Sequence, residues 1–150
     1  MLVHELTVAQ CRQIIARTNL GRLACARDDQ PYIVPIFFSV DLNENCLYSF
    51  STVGRKIEWM RDNPKVCVEV EEVVDKFHWT TVLVTGRYAE IRDQKQESVA
   101  FERVRELFQQ RPEWWLPATA RLATGEEHDR PVFYRIRIDG LTGRRAARKA

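Results

Sequence analysis

The chain has 150 residues, 45% hydrophobic and 29% charged, with 23 basic against 21 acidic side chains and a formal net charge of +2. This balance describes a globular chain long enough for one buried core, and it excludes global disorder. No whole-chain field demands nucleic acid, and no apolar run approaches the ~20 residues of a membrane span.

Met1–Leu6 lacks a basic segment followed by a long apolar one, so no secretory signal is expected. Cys11, Cys25, Cys46 and Cys67 lie scattered in apolar contexts without a CxxC pair, as buried free thiols of a reducing compartment would. The expected location is the cytoplasm. One domain is expected over 1–150, with a basic, flexible tail at 144–150.

Thr7-Val8-Ala9-Gln10 reads as a capping box, and Val8, Cys11, Ile14 and Ile15 continue it as one amphipathic helix. Asn19-Leu20-Gly21 suits a left-handed helix exit. Gly21–Arg27 is a short mixed strand, and Asp28-Asp29-Gln30 a turn. Tyr32–Phe38 is apolar on both faces, so core covers one side and something else the other. Pro35 within it removes a ladder donor, which confines the run to an edge, a bulge or a place where no strand lies alongside. An edge beside a bound planar ligand satisfies both features, and so does an edge buried by a dimer partner.

Asp41–Asn45 is a hairpin loop and Cys46–Phe50 the returning strand. A hydroxyl- and Gly-bearing loop follows, then a helix from Arg55 that stops before Pro64. Lys65–Glu71 alternates, with Val66, Val68 and Val70 inward and Glu69 and Glu71 outward. Val73–His78 is a loop, and Trp79–Ile91 a long strand with a bulge or bend at Gly86. Asp93–Gln110 is a helix whose apolar stripe is Ala100, Phe101, Val104, Leu107 and Phe108. Pro112, Trp114, Trp115 and Pro117 form an irregular aromatic segment. Pro131–Ile138 is the last strand, and Asp139-Gly140 turns it. Six short strands joined mostly by tight turns predict a mainly β (α+β) domain, a six-stranded antiparallel barrel with peripheral helices.

The chemistry concentrates at Ser49–Pro64. Ser51, Thr52 and the loop amides offer donors, and Arg55 and Lys56 sit at a helix N-terminus, where cations oppose the macrodipole unless an anion binds. The corner reads as a phosphate site; the competing reading is two solvated surface charges. Elsewhere there is no GxxxxGK[ST], GxGxxG, HExxH or nucleophile elbow, and His4, His78 and His128 stand far apart. No metal site and no protein-side catalytic set is expected, so any catalysis belongs to a cofactor.

Leu20–Ala24, Pro31–Phe38, Gly54-Arg55-Lys56, Asn63–Cys67, Val84–Arg87 and Arg135–Arg144 together resemble the pyridoxamine 5′-phosphate oxidase-like, FMN-binding split-barrel superfamily, most of all its small nitroimidazole-resistance-type flavoproteins. The resemblance covers roughly Leu6 to Arg145. It implies a six-stranded split barrel and a homodimer with two FMN sites at the interface. Carried over by position, the Val34-Pro35-Ile36 backbone lies along the flavin ring. Phe50, Ser51 and Thr52 lead into the phosphate corner, Arg55 and Lys56 hold the phosphate, and Trp79 and Thr81 stand near the ring. The Arg-x-His signature of the true oxidase is missing from the C-terminal segment, which argues against vitamin B6 oxidation. Relatives in the superfamily also bind F420 or haem, haem being the weaker choice for want of a well-set histidine.

Two functions follow from the resemblance. One is an FMN-dependent oxidoreductase passing electrons to a small electron-poor acceptor such as a nitro compound or quinone. The other is a non-catalytic flavin, F420 or haem binding protein. A barrel for single-stranded nucleic acid would need a basic groove with exposed aromatics, which the charge balance does not supply. Trp114 and Trp115 are expected on the barrel or in a dimer seam rather than over a flavin. Arg135 and Arg137 share one strand face, set to meet a flavin or to pair with glutamates.

Overall fold

The computed structural model describes residues 1–110 and 131–148, apart from the side chain of Phe108. Val66, Val68 and Val70 are buried while Glu69 and Glu71 face out to Arg22, at 3.7 and 3.1 Å. That period of two places a strand, β5 (Lys65–Asp75), between an apolar interior and solvent. In chain order the elements are β1 (Leu2–Glu5), α1 (Val8–Arg17), β2 (Leu20–Arg27), β3 (Gln30–Asp41), β4 (Cys46–Ser51), α2 (Arg55–Asp62), β5, β6 (His78–Glu90), α3 (Ser98–Gln109) and β7 (Val132–Ala147). The antiparallel sheet runs β1-β7-β4-β3-β2-β5-β6, and β6 pairs back onto β7. Six strands thus close into the expected barrel, with β1 added outside it along the end of β7.

Two apolar layers result. Ile14 and Ile15 of α1 and Ile57 and Met60 of α2 pack with Leu23, Ile36, Phe38, Val68, Val84, Tyr134 and Ile136 in the main core. Phe37, Tyr48 and Phe50 point the other way, where Ala100, Val104 and Leu107 of α3 cover them. The doubly covered apolar run is therefore accounted for: β3 faces the barrel on one side and α3 on part of the other.

Several sequence signals have clear local causes. The Thr7 hydroxyl accepts from the Gln10 amide at 3.2 Å while the Gln10 side chain accepts from the Thr7 amide at 2.9 Å, completing the capping box. Asp28 and Asp29 take φ of 51° and 64°, the left-handed pair of a tight hairpin turn. Asp41 Oδ1 accepts from the Asn43 and Glu44 amides and organises the next turn.

Other expectations are corrected. Val8 is 58% exposed, because only Cys11, Ile14 and Ile15 reach the core face of so short a helix. The α1 exit at Thr18 is extended, φ −104° and ψ 153°, and runs straight into β2. Residues 73–78 are no loop, since β5 and β6 continue to a tight turn at Lys76 and Phe77. Helix α3 starts at Ser98, after a turn closed by Asp93. β1 was not foreseen.

The largest correction concerns the C-terminal segment. Asp139-Gly140 does not end the last strand; Gly140 opposes Thr85 and Ile138 opposes Gly86, so Asp139 is the extra residue of a bulge. Arg144–Ala147, expected as a flexible tail, are strand paired to β6 on one edge and to β1 on the other. Basic composition alone hid this, because the ladder bonds belong to the backbone. Trp114, Trp115 and His128 lie outside the described residues.

Gly86 is dictated by this closure: a Cβ there would lie 2.3 Å from the Arg137 carbonyl oxygen and 2.8 Å from Ile136 Cγ2. Gly86→Ala is expected to cost about 3 kcal/mol or more in urea unfolding, as backbone overpacking does; a loss under ~0.5 kcal/mol would contradict the close approach.

At the end of β6, Glu90 receives the Tyr88 hydroxyl at 2.7 Å and Arg92 Nε at 2.8 Å, together with Arg61 Nε from α2. Burial pushes the Glu90 carboxyl up, but these three donors outweigh it and leave it below its ordinary 4.5. A carboxylate so depressed stabilises the fold at neutral pH and loses that contribution as pH falls below about 4.5. Glu90→Gln is expected to lower stability by ~1–2 kcal/mol at pH 7, with the deficit shrinking in acid titrations.

Candidate functional site

The half of β3 that carries Ile33–Ile36 is paired on one edge only. Its partners run from Leu20 opposite Phe37 to Arg27 opposite Gln30 on β2, whereas β4 pairs with it only from Phe38 to Asp41. The Phe38 amide donates to Asn19 on the β2 side, at 2.8 Å. By strand alternation the Ile36 and Val34 amides point to β2 as well, and the missing Pro35 amide falls on the open edge. The proline therefore costs no ladder bond. Ile33 is 62% exposed beside it, while Ile36 is buried in the barrel.

Where β4 ends, the chain turns into α2 across this opening. The Ser51 hydroxyl donates to the Thr52 carbonyl at 2.9 Å, and both residues are half-buried. Gly54 caps α2 with no side-chain hydrogen bond and with open space where a Cβ would stand, so no side-chain cap among the described residues takes the first-turn amides. Phe50 lends only its backbone to this corner, because its ring belongs to the layer under α3.

Arg55 and Lys56 open α2, and neither has a carboxylate partner among the described residues. The Arg55 guanidinium lies 5.2 Å above the Tyr32 ring and 6.0 Å from that of Trp59. The two rings lean together at 5.6 Å, and Arg27 covers Trp59 from a further 5.2 Å while reaching Asp62 at 3.3 Å. Lys56 is half-buried, and that burial holds its ammonium below the ordinary 10.5, with nearby Cys25 a weaker opposing influence. The Cys25 thiol is pushed up by its own burial.

The corner thus holds one cation stored on aromatic faces and one paying for desolvation, both at a helix start. Such a set leaves two cations at a helix start that no ion pair among the described residues engages. Tyr32 and Trp59 were not singled out from sequence, although Arg55 and Trp59 are four apart on one helix face.

Thr81 and Trp79 stand elsewhere. Thr81 lines a cleft of about 430 Å³ with Glu5, Leu6, Leu83, Leu141 and Arg144. It lies six residues along β6 from Arg87, the residue opposite Lys65 at the α2 end, which is about 20 Å of strand. Within one chain the structure brings Val34–Ile36, Ser51, Thr52, Arg55 and Lys56 to one opening and leaves Trp79 and Thr81 apart. A second cleft of about 450 Å³, lined by Ala24, Cys25, Lys65, Cys67 and Arg87 among others, begins beside the α2 end.

A closing six-stranded barrel, the half-paired β3 and this corner are set over most of the sequence, and a family model described as pyridoxamine 5′-phosphate oxidase matches residues 7–145. The chain belongs to that family. It is 38% identical to an uncharacterized protein of Rhizobium meliloti, over 97% of each chain. It is also similar to the crystal structure of an FAD-binding protein from Mesorhizobium loti, with 37% identity, 98% and 100% coverage and a TM-score of 0.84. A candidate 5-nitroimidazole antibiotic resistance protein from Bacteroides thetaiotaomicron shares the fold at 17% identity, 96% and 89% coverage and a TM-score of 0.65. The split barrel of this family is therefore the fold of this chain. Among the described residues no helix is long and apolar enough to cross a membrane.

Lys56 gives a direct measurement. Its charged form is disfavoured by burial, so it subtracts from stability at neutral pH, and the penalty fades as pH rises through the lowered folded-state pKa and is gone above 10.5. Lys56→Met is expected to raise the melting temperature of the ligand-free protein by about 2–4 °C at pH 7, with less gain at alkaline pH.

Proposed function

We propose that this protein is a flavin-dependent oxidoreductase of the split-barrel family, holding FMN between two copies of the chain and reducing a small electron-poor acceptor such as a nitro compound or quinone. The observation that carries this reading is the pair of cations without carboxylate partners among the described residues, Arg55 and Lys56, beside the open edge of β3. A phosphate between them would relieve the desolvated lysine. A planar ring laid along Val34-Pro35-Ile36 would meet a backbone edge from which the proline has removed one donor.

When bound, the flavin supplies the redox chemistry. The chain's own residues bind and orient it: Arg55 and Lys56 with Thr52 and the first amides of α2 as the anchor, Ile33 and Pro35 as an apolar wall. No acid or base role is assigned to any of the described side chains in the opening. The distance of Trp79 and Thr81 from the corner supports a site completed by a second copy, whose β6 would bring them to the ring. Membership of the family and the similarity to a flavin-binding relative add to the same reading.

A second reading, FAD in place of FMN, is favoured by the 37% identity to the FAD-binding protein of Mesorhizobium loti. Both flavins place phosphate at the corner, so release of the bound cofactor and chromatography separate them.

Purified protein is expected to show a flavin absorption spectrum, and Arg55→Ala with Lys56→Ala to lower flavin affinity by 100-fold or more while circular dichroism and oligomeric mass stay unchanged. Native affinity in that double variant would overturn the anchor assignment. A haem band or an F420 spectrum would overturn the cofactor.

A further inference from the structure

At the opposite end of β4 from α2, Cys46 faces Arg137 and Tyr48 faces Arg135 across the β4–β7 ladder. These four residues and Glu44 line a cleft of about 240 Å³. Ser51 lies five positions beyond Cys46 along β4, about 17 Å, so this cleft and the α2 corner are distinct places.

Its donors are unevenly satisfied. Arg135 is fixed by Glu97, which receives its Nη2, yet its Nε is buried without any hydrogen-bond partner. A buried guanidinium N–H left unmade costs more than an ordinary lost hydrogen bond, and such orphans mark a missing ligand or water. Arg137, one step along the same face, is exposed and has no ion pair among the described residues. Tyr48 is buried at 3% exposure, and its phenol is pushed up to about 12 first by that burial and then by its hydrogen bond with the Cys46 thiol, so it stays neutral, and a ligand would take its proton in place of that weak sulfur acceptor. Asp41 is already engaged by Arg103 at 3.4 Å. Glu44, which is exposed, is the one carboxylate of the lining among the described residues.

We propose that this cleft is a second binding site, which takes a small oxyanion, a carboxylate or a phosphate monoester, on Arg135 Nε, the Arg137 guanidinium and the Tyr48 hydroxyl. The pairing is planar donor against planar or tetrahedral oxygens, which arginine makes better than lysine. Glu44 makes the site selective: a bare dianion meets some repulsion, while a ligand bearing a hydroxyl or ammonium group next to its anion gains a partner. The site does not depend on the flavin reading, since it shares no residue with the α2 corner.

The test uses the full chain in the Arg55→Ala, Lys56→Ala background, which removes the other candidate phosphate site. Inorganic phosphate at about 10 mM, against chloride of equal ionic strength, is expected to raise the melting temperature by ~2–4 °C and to move the Arg135 Nε–H resonance in a ¹H–¹⁵N spectrum. Acetate in the same titration separates the two sources: a larger shift with acetate assigns a carboxylate, with phosphate a phosphate monoester. Arg137→Gln, a substitution at an exposed position that leaves the Glu97 contact intact, is expected to abolish both responses, and Tyr48→Phe to weaken them several-fold. Neither anion moving the Arg135 resonance, or a full response persisting in Arg137→Gln, would overturn the proposal.

Discussion

The pairing of β6 with β7 from Tyr134 to Ala146 is the constraint on which the molecule depends. It joins the last strand to the β5–β6 hairpin and shuts six strands into a barrel, so that no long bare edge remains on that side. It demands a backbone approach that only Gly86 permits, and it absorbs a register change through the bulge at Asp139. Because this seam closes, the barrel can be left open elsewhere. The opening falls between β3 and β4, where Pro35 makes the exposed edge of β3 a poor template for another strand.

That opening decides where the charges matter. Helix α2 is held across it by apolar contacts of Ile57 and Met60 within the core and by Arg61 reaching Glu90 on β6. Its first turn is thereby presented to the gap with two cations and an uncapped start. Several other charged side chains of the fold are paired at the surface: Arg17 with Glu72, Arg22 with Glu69 and Glu71, and Arg27 with Asp62. Exposed pairs of this kind contribute little to stability. What sets α2 apart is where its two cations stand, at a helix start beside an open strand edge, rather than charge number, which is why composition, with a net charge of +2, carries no trace of it.

Much of this was legible because it is local. The capping box at Thr7 and Gln10, the Asp28-Asp29 turn, the alternation of Val66, Val68 and Val70, and the oddity of cations at a helix start each depend on residues a few positions apart. The errors were local too. Val8 looked like core because helical spacing ignores where the helix ends, and Asp139-Gly140 looked like a turn because a bulge uses the same residue types. The platform of Tyr32 and Trp59 beneath Arg55 was half visible: four-residue spacing pairs Arg55 with Trp59, but Tyr32 arrives from another strand.

The sequence by itself determined the six barrel strands, the helices that flank them and the family, since period, turn chemistry and motif order are written in neighbouring residues. Tertiary structure alone decided which strand half stays unpaired, that Arg144–Ala147 are held between β1 and β6, and that Arg135 and Arg137 share a cleft with Tyr48. Each of these follows from backbone hydrogen bonds between segments far apart in the chain. Those bonds are made by groups that every residue carries, so side-chain pattern does not encode them.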